Sequence, residues 1–410
     1  MLQLFVVVVA IAGIPVLIRR KLSVGVSLLI LGLLAGILGG LSPGVIARAL
    51  IDVFAVPSTL SSVLVVIEIG MLSVLMNHYQ LLKRMEDAMR KLFSNARLII
   101  MLLPAMIGAL QAPGGAVLSA AFANHLGEEM GLTPAQRANV NVVSRHALML
   151  FAPFTTNMVV VKSMAPDVDI LKLGLLNLGF VVAMQAAGYF FLLRKSKPLE
   201  LPPVSGGERW KALGEFFLTF SPILLVILLN TILKIPFPVA LLGSILLVFL
   251  IGDRKDFGHW LVRSFSVSSA LLIIGVYFFQ NIVGSMGGLL ALFTRLVNGE
   301  SMIVFLVTVA VVGTLFGVAT GLMYLPMGVL IPVVAGAAYA SEMEMLIHVS
   351  YTFLFCFIGY FFSPLHLCQL LSDKETGCTV EERYRTYLPL LPTLPAIAVV
   401  LFFLYTLLLT

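Results

Sequence analysis

The sequence predicts an all-α polytopic membrane protein. It is read as two inverted-topology repeats, each with five transmembrane helices, one re-entrant hairpin and one proline-broken helix. Three observations lead there. Hydrophobic residues make up 60% of the 410 positions and charged residues 11%, and apolar runs of about 16 to 26 residues recur from end to end, enough to cross ~30 Å of hydrocarbon. The chain is also written twice. At an offset of 213, KLSVGVSLLILGLLAGILGG (21–40) falls on KIPFPVALLGSILLVFLIGD (234–253), Glu68 falls on Asn281, Gly108 on Gly321, Pro113 on Pro326 and Gly115 on Gly328. At offset 211, Phe151 and Pro153 fall on Phe362 and Pro364. Internal duplication in a membrane chain is a mark of secondary transporters. The third observation is the distribution of basic residues, taken up below.

Repeat 1 covers 1–193. Residues 2–18 lack a basic region before them and a small-residue cleavage site after them, so they read as a first span and not as a signal peptide. Spans follow at 22–40 and 56–77. Lys83–Arg97 reads as an amphipathic helix on the cytoplasmic face, or as a partner site. Residues 98–127 are two short apolar runs around a Gly/Pro tip. Fourteen residues rise only about 21 Å as a helix, short for a crossing and right for one arm of a hairpin. A span broken at Pro153 (138–162) and a last span (169–193) complete the half. A polar linker, 194–212, precedes repeat 2 (213–410). That half has spans at 213–233, 237–252 and 266–290, a hairpin at about 302–340, a span broken at Pro364 (346–371) and a span at 387–409.

Charge chooses the topology. If both hairpins enter and leave on one side and both termini lie outside, 20 of the 26 basic residues face the cytoplasm, five face outward and Arg145 lies within a span. The positive-inside rule favours that arrangement. The net charge of +6 is then a topological bias. Nucleic acid is not an expected partner, because the aromatic–basic interleaving of single-strand binders is missing. The bilayer is.

Non-helical backbone at membrane depth needs protein burial or a wet cavity. Four places qualify. One hairpin tip carries Gln111, Pro113, Gly114 and Gly115, and the other Thr320 and Gly321. One break carries Thr155, Thr156 and Asn157, and the other His366 and Gln369. Proline ends a half-helix by removing a donor and clashing with the previous turn. The next half-helix then aims free N–H groups and a positive dipole end into the cavity, while freed carbonyls suit a small cation. These residues are the candidate substrate and ion site, with no cofactor beyond Na⁺ or H⁺ and no metal. Glu68, mid-span, is either a coupling carboxylate or a protonated packing contact. Arg145 either snorkels to the interface or pairs with an anion.

Two inverted halves, each with a hairpin and a Pro-broken span bearing small polar residues, resemble the ion transporter superfamily. Its members include permeases for gluconate, citrate, C4-dicarboxylates and arsenite, and some Na⁺/H⁺ antiporters. The resemblance spans the whole chain and is closest to a prokaryotic branch, which implies the inner (cytoplasmic) membrane. It implies secondary active transport of a small anion, an organic carboxylate, by an elevator-like cycle, commonly in a homodimer. The Ser-Asn-Thr triplets that bind carboxylate and sodium in the dicarboxylate symporters are not at these tips; Gln111 and Thr320 stand nearby.

Two other readings remain. One is a Na⁺/H⁺ antiporter without an organic substrate. The other is an intramembrane enzyme, disfavoured because no HExxH, GxSxG or P-loop motif occurs and every Asp falls in a loop or at the edge of a span. The three cysteines show no metal-binding spacing along the chain.

Overall fold

The protein is described by a computed structural model that covers residues 2–93, 95–108, 113–197, 199, 205–252, 256–288, 291, 295 and 301–410. Every regular element among them is helical. The first half contains α1 (Leu2–Arg19), α2 (Val24–Leu38), α3 (Pro43–Ala55), α4 (Pro57–His78), α5 (Leu81–Leu92), α6 (Ala96–Gly108), α7 (Pro113–Glu129), α8 (Pro134–Arg145), α9 (Ala147–Phe151), α10 (Thr156–Met164) and α11 (Ile170–Gly188). The second contains α12 (Gly206–Thr231), α13 (Phe237–Ile251), α14 (Phe257–Ser264), α15 (Val267–Gly284), α16 (Met302–Thr320), α17 (Tyr324–Ala335), α18 (Glu342–Phe361), α19 (Leu367–Thr376), α20 (Val380–Tyr387) and α21 (Leu390–Leu409). Local chemistry sets many of the starts. Ser23 and Ser42 accept from the backbone N–H three residues on, and Thr133–Gln136, Ser205–Glu208 and Thr379–Glu382 close reciprocal capping boxes.

Eight helical stretches among the described residues are long and apolar enough to cross a bilayer, so the chain is a multi-pass membrane protein. The sequence reading differs in several places. The short helices α2 and α13, 15 residues each, rise about 22 Å and fall below that length. Residues 43–55 and 257–264, passed over as loops, are helices α3 and α14; Ser42 followed by Pro43 was a readable start signal. The linker is shorter than 194–212, because α12 begins at Gly206. The first arm of the second hairpin region, α16, is 19 residues and long enough to cross, not a short run. The amphipathic helix is present as α5. It buries Leu81, Leu82, Met85 and Met89, packs on α12 and ties to it through Arg84–Glu215 at 2.5 Å.

The helix boundaries carry the sequence offset into three dimensions: α13 starts and ends 213 residues after α2, and α19 starts 211 residues after α10. Packing partners recur likewise. Helix α2 packs along α15 and α13 along α4; α6 packs on α8 and α16 on α18.

Glycines show how these pairs run. A Cβ on Gly25 would meet the Leu271 backbone at 2.3 Å, while Gly32 faces Phe278, Gly36 faces Ile282 and Gly39 faces Met286. Contacts that advance together along both helices make α2 and α15 parallel. Helices α16 and α18 are parallel too. The Tyr351 hydroxyl donates to the Leu306 carbonyl at 3.1 Å, Gly313 faces Phe355, Gly317 faces Tyr360, and the Ser363 hydroxyl donates to the Val318 carbonyl at 2.7 Å. Small residues that let backbones approach are the usual basis of helix association in lipid.

Helix α18 is the most enclosed of these stretches. Of its most apolar 18-residue window 83% is buried, against 22% for α21, so the span broken after Phe361 sits in the interior and α21 faces outward.

Candidate functional site

Both proline-marked spans are broken. Helix α9 ends at Phe151 and α10 begins at Thr156; α18 ends at Phe361 and α19 begins at Leu367. The carbonyl sides of the breaks are locally satisfied. The Thr155 hydroxyl donates to the Ala152 carbonyl at 2.9 Å and faces that of Met149 at 3.3 Å. The Gln369 amide donates to the Phe361 carbonyl, and the Tyr384 hydroxyl to that of Phe362 at 2.8 Å. The amide sides are different: neither α10 nor α19 has a side-chain cap at its N-terminus.

Beside those free helix starts lie fully buried polar groups without partners. Both amide atoms of Asn157 and Nε2 of His366 have none, and both residues are 0% exposed. Burying an amide unpaired is costly, so something other than the described side chains must satisfy it. The half-helices also trade places between halves: α10 packs on α17 and α19 packs on α7. Each half-helix therefore lies against a helix of the opposite half.

The other residues singled out from the sequence fall as follows. Gln111 lies outside the described residues. Pro113, Gly114 and Gly115 form the first turn of α7. Thr156 is buried in the first turn of α10. The Thr320 hydroxyl turns back on its own helix end, donating to Phe316 O at 2.7 Å and accepting from Leu322 N at 3.2 Å, so it closes the tip and does not reach into the break. Gly321 takes φ +65°, and a Cβ there would meet Leu365 at 2.8 Å; both the left-handed backbone and the close approach require glycine.

Arg145 does not snorkel. It is 3% exposed and its guanidinium donates to the Ser119 hydroxyl at 3.1 Å. Its carbonyl is where a Cβ on Gly108 would fall, at 1.9 Å. Glu68 is 9% exposed with Oε2 unpartnered, whereas its counterpart Asn281 donates to the Ala49 carbonyl at 2.8 Å. The polar packing contact thus holds for Asn281.

Sequence reasoning missed two groupings. Where the α8–α9 junction meets the second break, the His146 and His366 rings stand 4.8 Å apart, with the Tyr360 hydroxyl 3.4 Å from His146 Nε2 and hydrogen-bonded to Cys368. Cys368 could have been found, since it is the counterpart of Asn157 at offset 211. The other is Arg383, fully buried and paired with Asp373, two residues that read as solvated loop charges. Nearby, burial and the neighbouring carboxylates of Asp373 and Glu382 push the Cys378 thiol up to about 11, while hydrogen bonds from Thr379 hold Glu382 below the usual carboxylate range.

A cavity of about 710 Å³ opens between α3, α15 and α17, lined in part by Arg48, Asp52, Gln280, Asn281, Gly328 and Pro332. None of its lining residues belongs to the breaks.

No curated protein matches the chain. Residues 1–406 match the family described as "Protein of unknown function (DUF401)", and the chain belongs to that family.

Proposed function

We propose that this protein is a secondary active transporter of a small anion, an organic carboxylate, coupled to Na⁺ or H⁺ and working by alternating access. One observation carries the reading: two uncapped half-helices start inside the bundle, each beside a fully buried polar group, Asn157 or His366, that no described side chain satisfies. Positive helix ends with neutral amide and imidazole groups can hold one or two negative charges without a fixed cation. Broken helices of this sort form the midplane sites of transporters.

The packing supports the inverted repeat. Helix α3 buries only Ala49 and Val53, as expected of a helix lying along the membrane surface. Then α2 and α4 cross in opposite senses, and so do their counterparts α13 and α15. A same-sense duplication would set α2 against α15; they run parallel. Parallel α16 and α18 likewise require α17 to return the chain to the side where α16 began, which is the hairpin. The cavity between α15 and α17 fits an entry on the outer side. The elevator cycle and the homodimer rest on the family resemblance.

The direct test is a thermal-shift screen of small carboxylates on purified protein, with and without Na⁺ and across pH, followed by proteoliposome uptake. A saturable shift from one class, matched by ion-driven uptake, is expected. No shift and no uptake across the panel overturns the reading. For topology, single cysteines placed beside Lys162 and Lys172 should label from outside and those in 194–212 should not; outside labelling of that linker removes the inverted model.

Coupling has its own expected result. Glu68 is buried with a free carboxylate oxygen, so Glu68→Gln should abolish proton-driven uptake and keep substrate exchange. Unaltered pH dependence in that variant would reduce Glu68 to packing. If Na⁺ is the coupling ion, the effect of Glu68→Gln is mild.

A further inference from the structure

We propose that His146, His366 and Cys368 form a binding site for a soft or borderline transition-metal ion, Zn²⁺ in character, spanning the two halves of the chain. Their ligand atoms all lie within 4.8 Å of one another. Both imidazoles are fixed in the orientation that metal sites use. His146 Nδ1 faces the Val142 carbonyl at 2.6 Å and His366 Nδ1 faces the Phe361 carbonyl at 3.4 Å. With its proton on Nδ1 donated to main chain, each ring leaves Nε2 as the lone-pair atom, the arrangement by which a hydrogen bond to the other nitrogen sets tautomer and basicity. Among the described residues His366 Nε2 has no partner, and His146 Nε2 meets the Tyr360 hydroxyl.

The donor set selects the ion. Two imidazoles and one sulfur suit Zn²⁺ and its neighbours, while Ca²⁺ and Mg²⁺ require oxygen ligands. The Tyr360 hydroxyl, next to both His146 and Cys368, borders the site on a fourth side. Arg145 lies within electrostatic range of Tyr360 and His366 and opposes any cation. A thiolate is therefore needed: as the sulfur–metal bond forms, the Cys368 proton leaves to solvent, one per ion bound. Affinity consequently rises with pH.

The inference shares His366 with the transport reading but not Asn157, and a metal titration and a carboxylate screen read the two separately. The linear sequence conceals it: His146 comes from the α8–α9 junction, and His366 and Cys368 from the second break.

Titration of the purified full chain with Co²⁺ should give a thiolate-to-metal charge-transfer band that saturates at one equivalent, is displaced by Zn²⁺, and is accompanied by release of one proton. Cys368→Ser should remove the band and weaken binding by more than about 10-fold, the loss that even an outer-shell change produces. Cys356→Ser with Cys378→Ser should leave it intact. In that double variant, Zn²⁺ should slow alkylation of Cys368, which reads the native site without disturbing it. Absence of one-equivalent binding, a band that persists in Cys368→Ser, or alkylation unaffected by Zn²⁺ overturns the proposal.

Discussion

Gly317→Ala should disable the folded protein, with a loss of about 3 kcal/mol, the upper end of overpacking costs. The added Cβ would sit 2.5 Å from the Tyr360 amide nitrogen and 2.7 Å from the Gly359 backbone. Nothing flexible can move aside: both neighbours are main chain of the enclosed helix α18, one turn before its break. The parallel α16–α18 pair would have to separate, taking Ser363 away from Val318. Gly70→Ala is the matched control, since a Cβ there meets nothing within 4 Å and alanine favours a helix over glycine by roughly 0.8–1.0 kcal/mol. The melting temperature and monodispersity of the two purified variants should move in opposite directions. Equal melting temperatures would show that the α16–α18 contact is looser than described.

Asn157→Ala should have the largest functional effect, and it separates function from stability. The Asn157 amide is buried and pairs with no described group, so its removal breaks no hydrogen bond within the described protein. The variant should melt at the parent temperature or slightly above. On the proposed transport reading the same amide hydrogen-bonds a charged partner, an interaction of about 1.5–3 kcal/mol. Binding should therefore weaken roughly 10- to 100-fold. Parent-like affinity places the site elsewhere. A fall in melting temperature alongside the fall in binding makes Asn157 a structural residue.

Much of this architecture is legible in the sequence because membranes punish irregular backbone. A proline inside an apolar run, followed at once by Thr155, Thr156 and Asn157, has few interpretations, and both breaks lie where the prolines indicate. Small residues in an apolar run point to close helix packing, and Gly32 does pack against α15. Other features were hidden. Short surface helices such as α3 are too brief for a clear apolar period, and only the Ser42–Pro43 start signals them. Arg145, Asp373 and Arg383 were judged by their distance along the chain from the span ends, but burial depends on which helices fold over them. Likewise Cys368 has only His366 as a ligand-like neighbour in sequence; His146 reaches it because α19 packs on α8.

The α2–α15 seam has a consequence for how the protein is made. Helix α2 carries two glycines, Gly25 and Gly32, whose bare backbone lies against α15, and that partner is synthesised after the linker. The earlier portion of the chain therefore enters the bilayer with this joint open, and lipid, which cannot interlock with backbone, occupies the place of α15 until the later portion arrives. Assembly is obligatorily late, and a ribosome that stalls between α11 and α15 leaves behind a fragment that is inserted but cannot close.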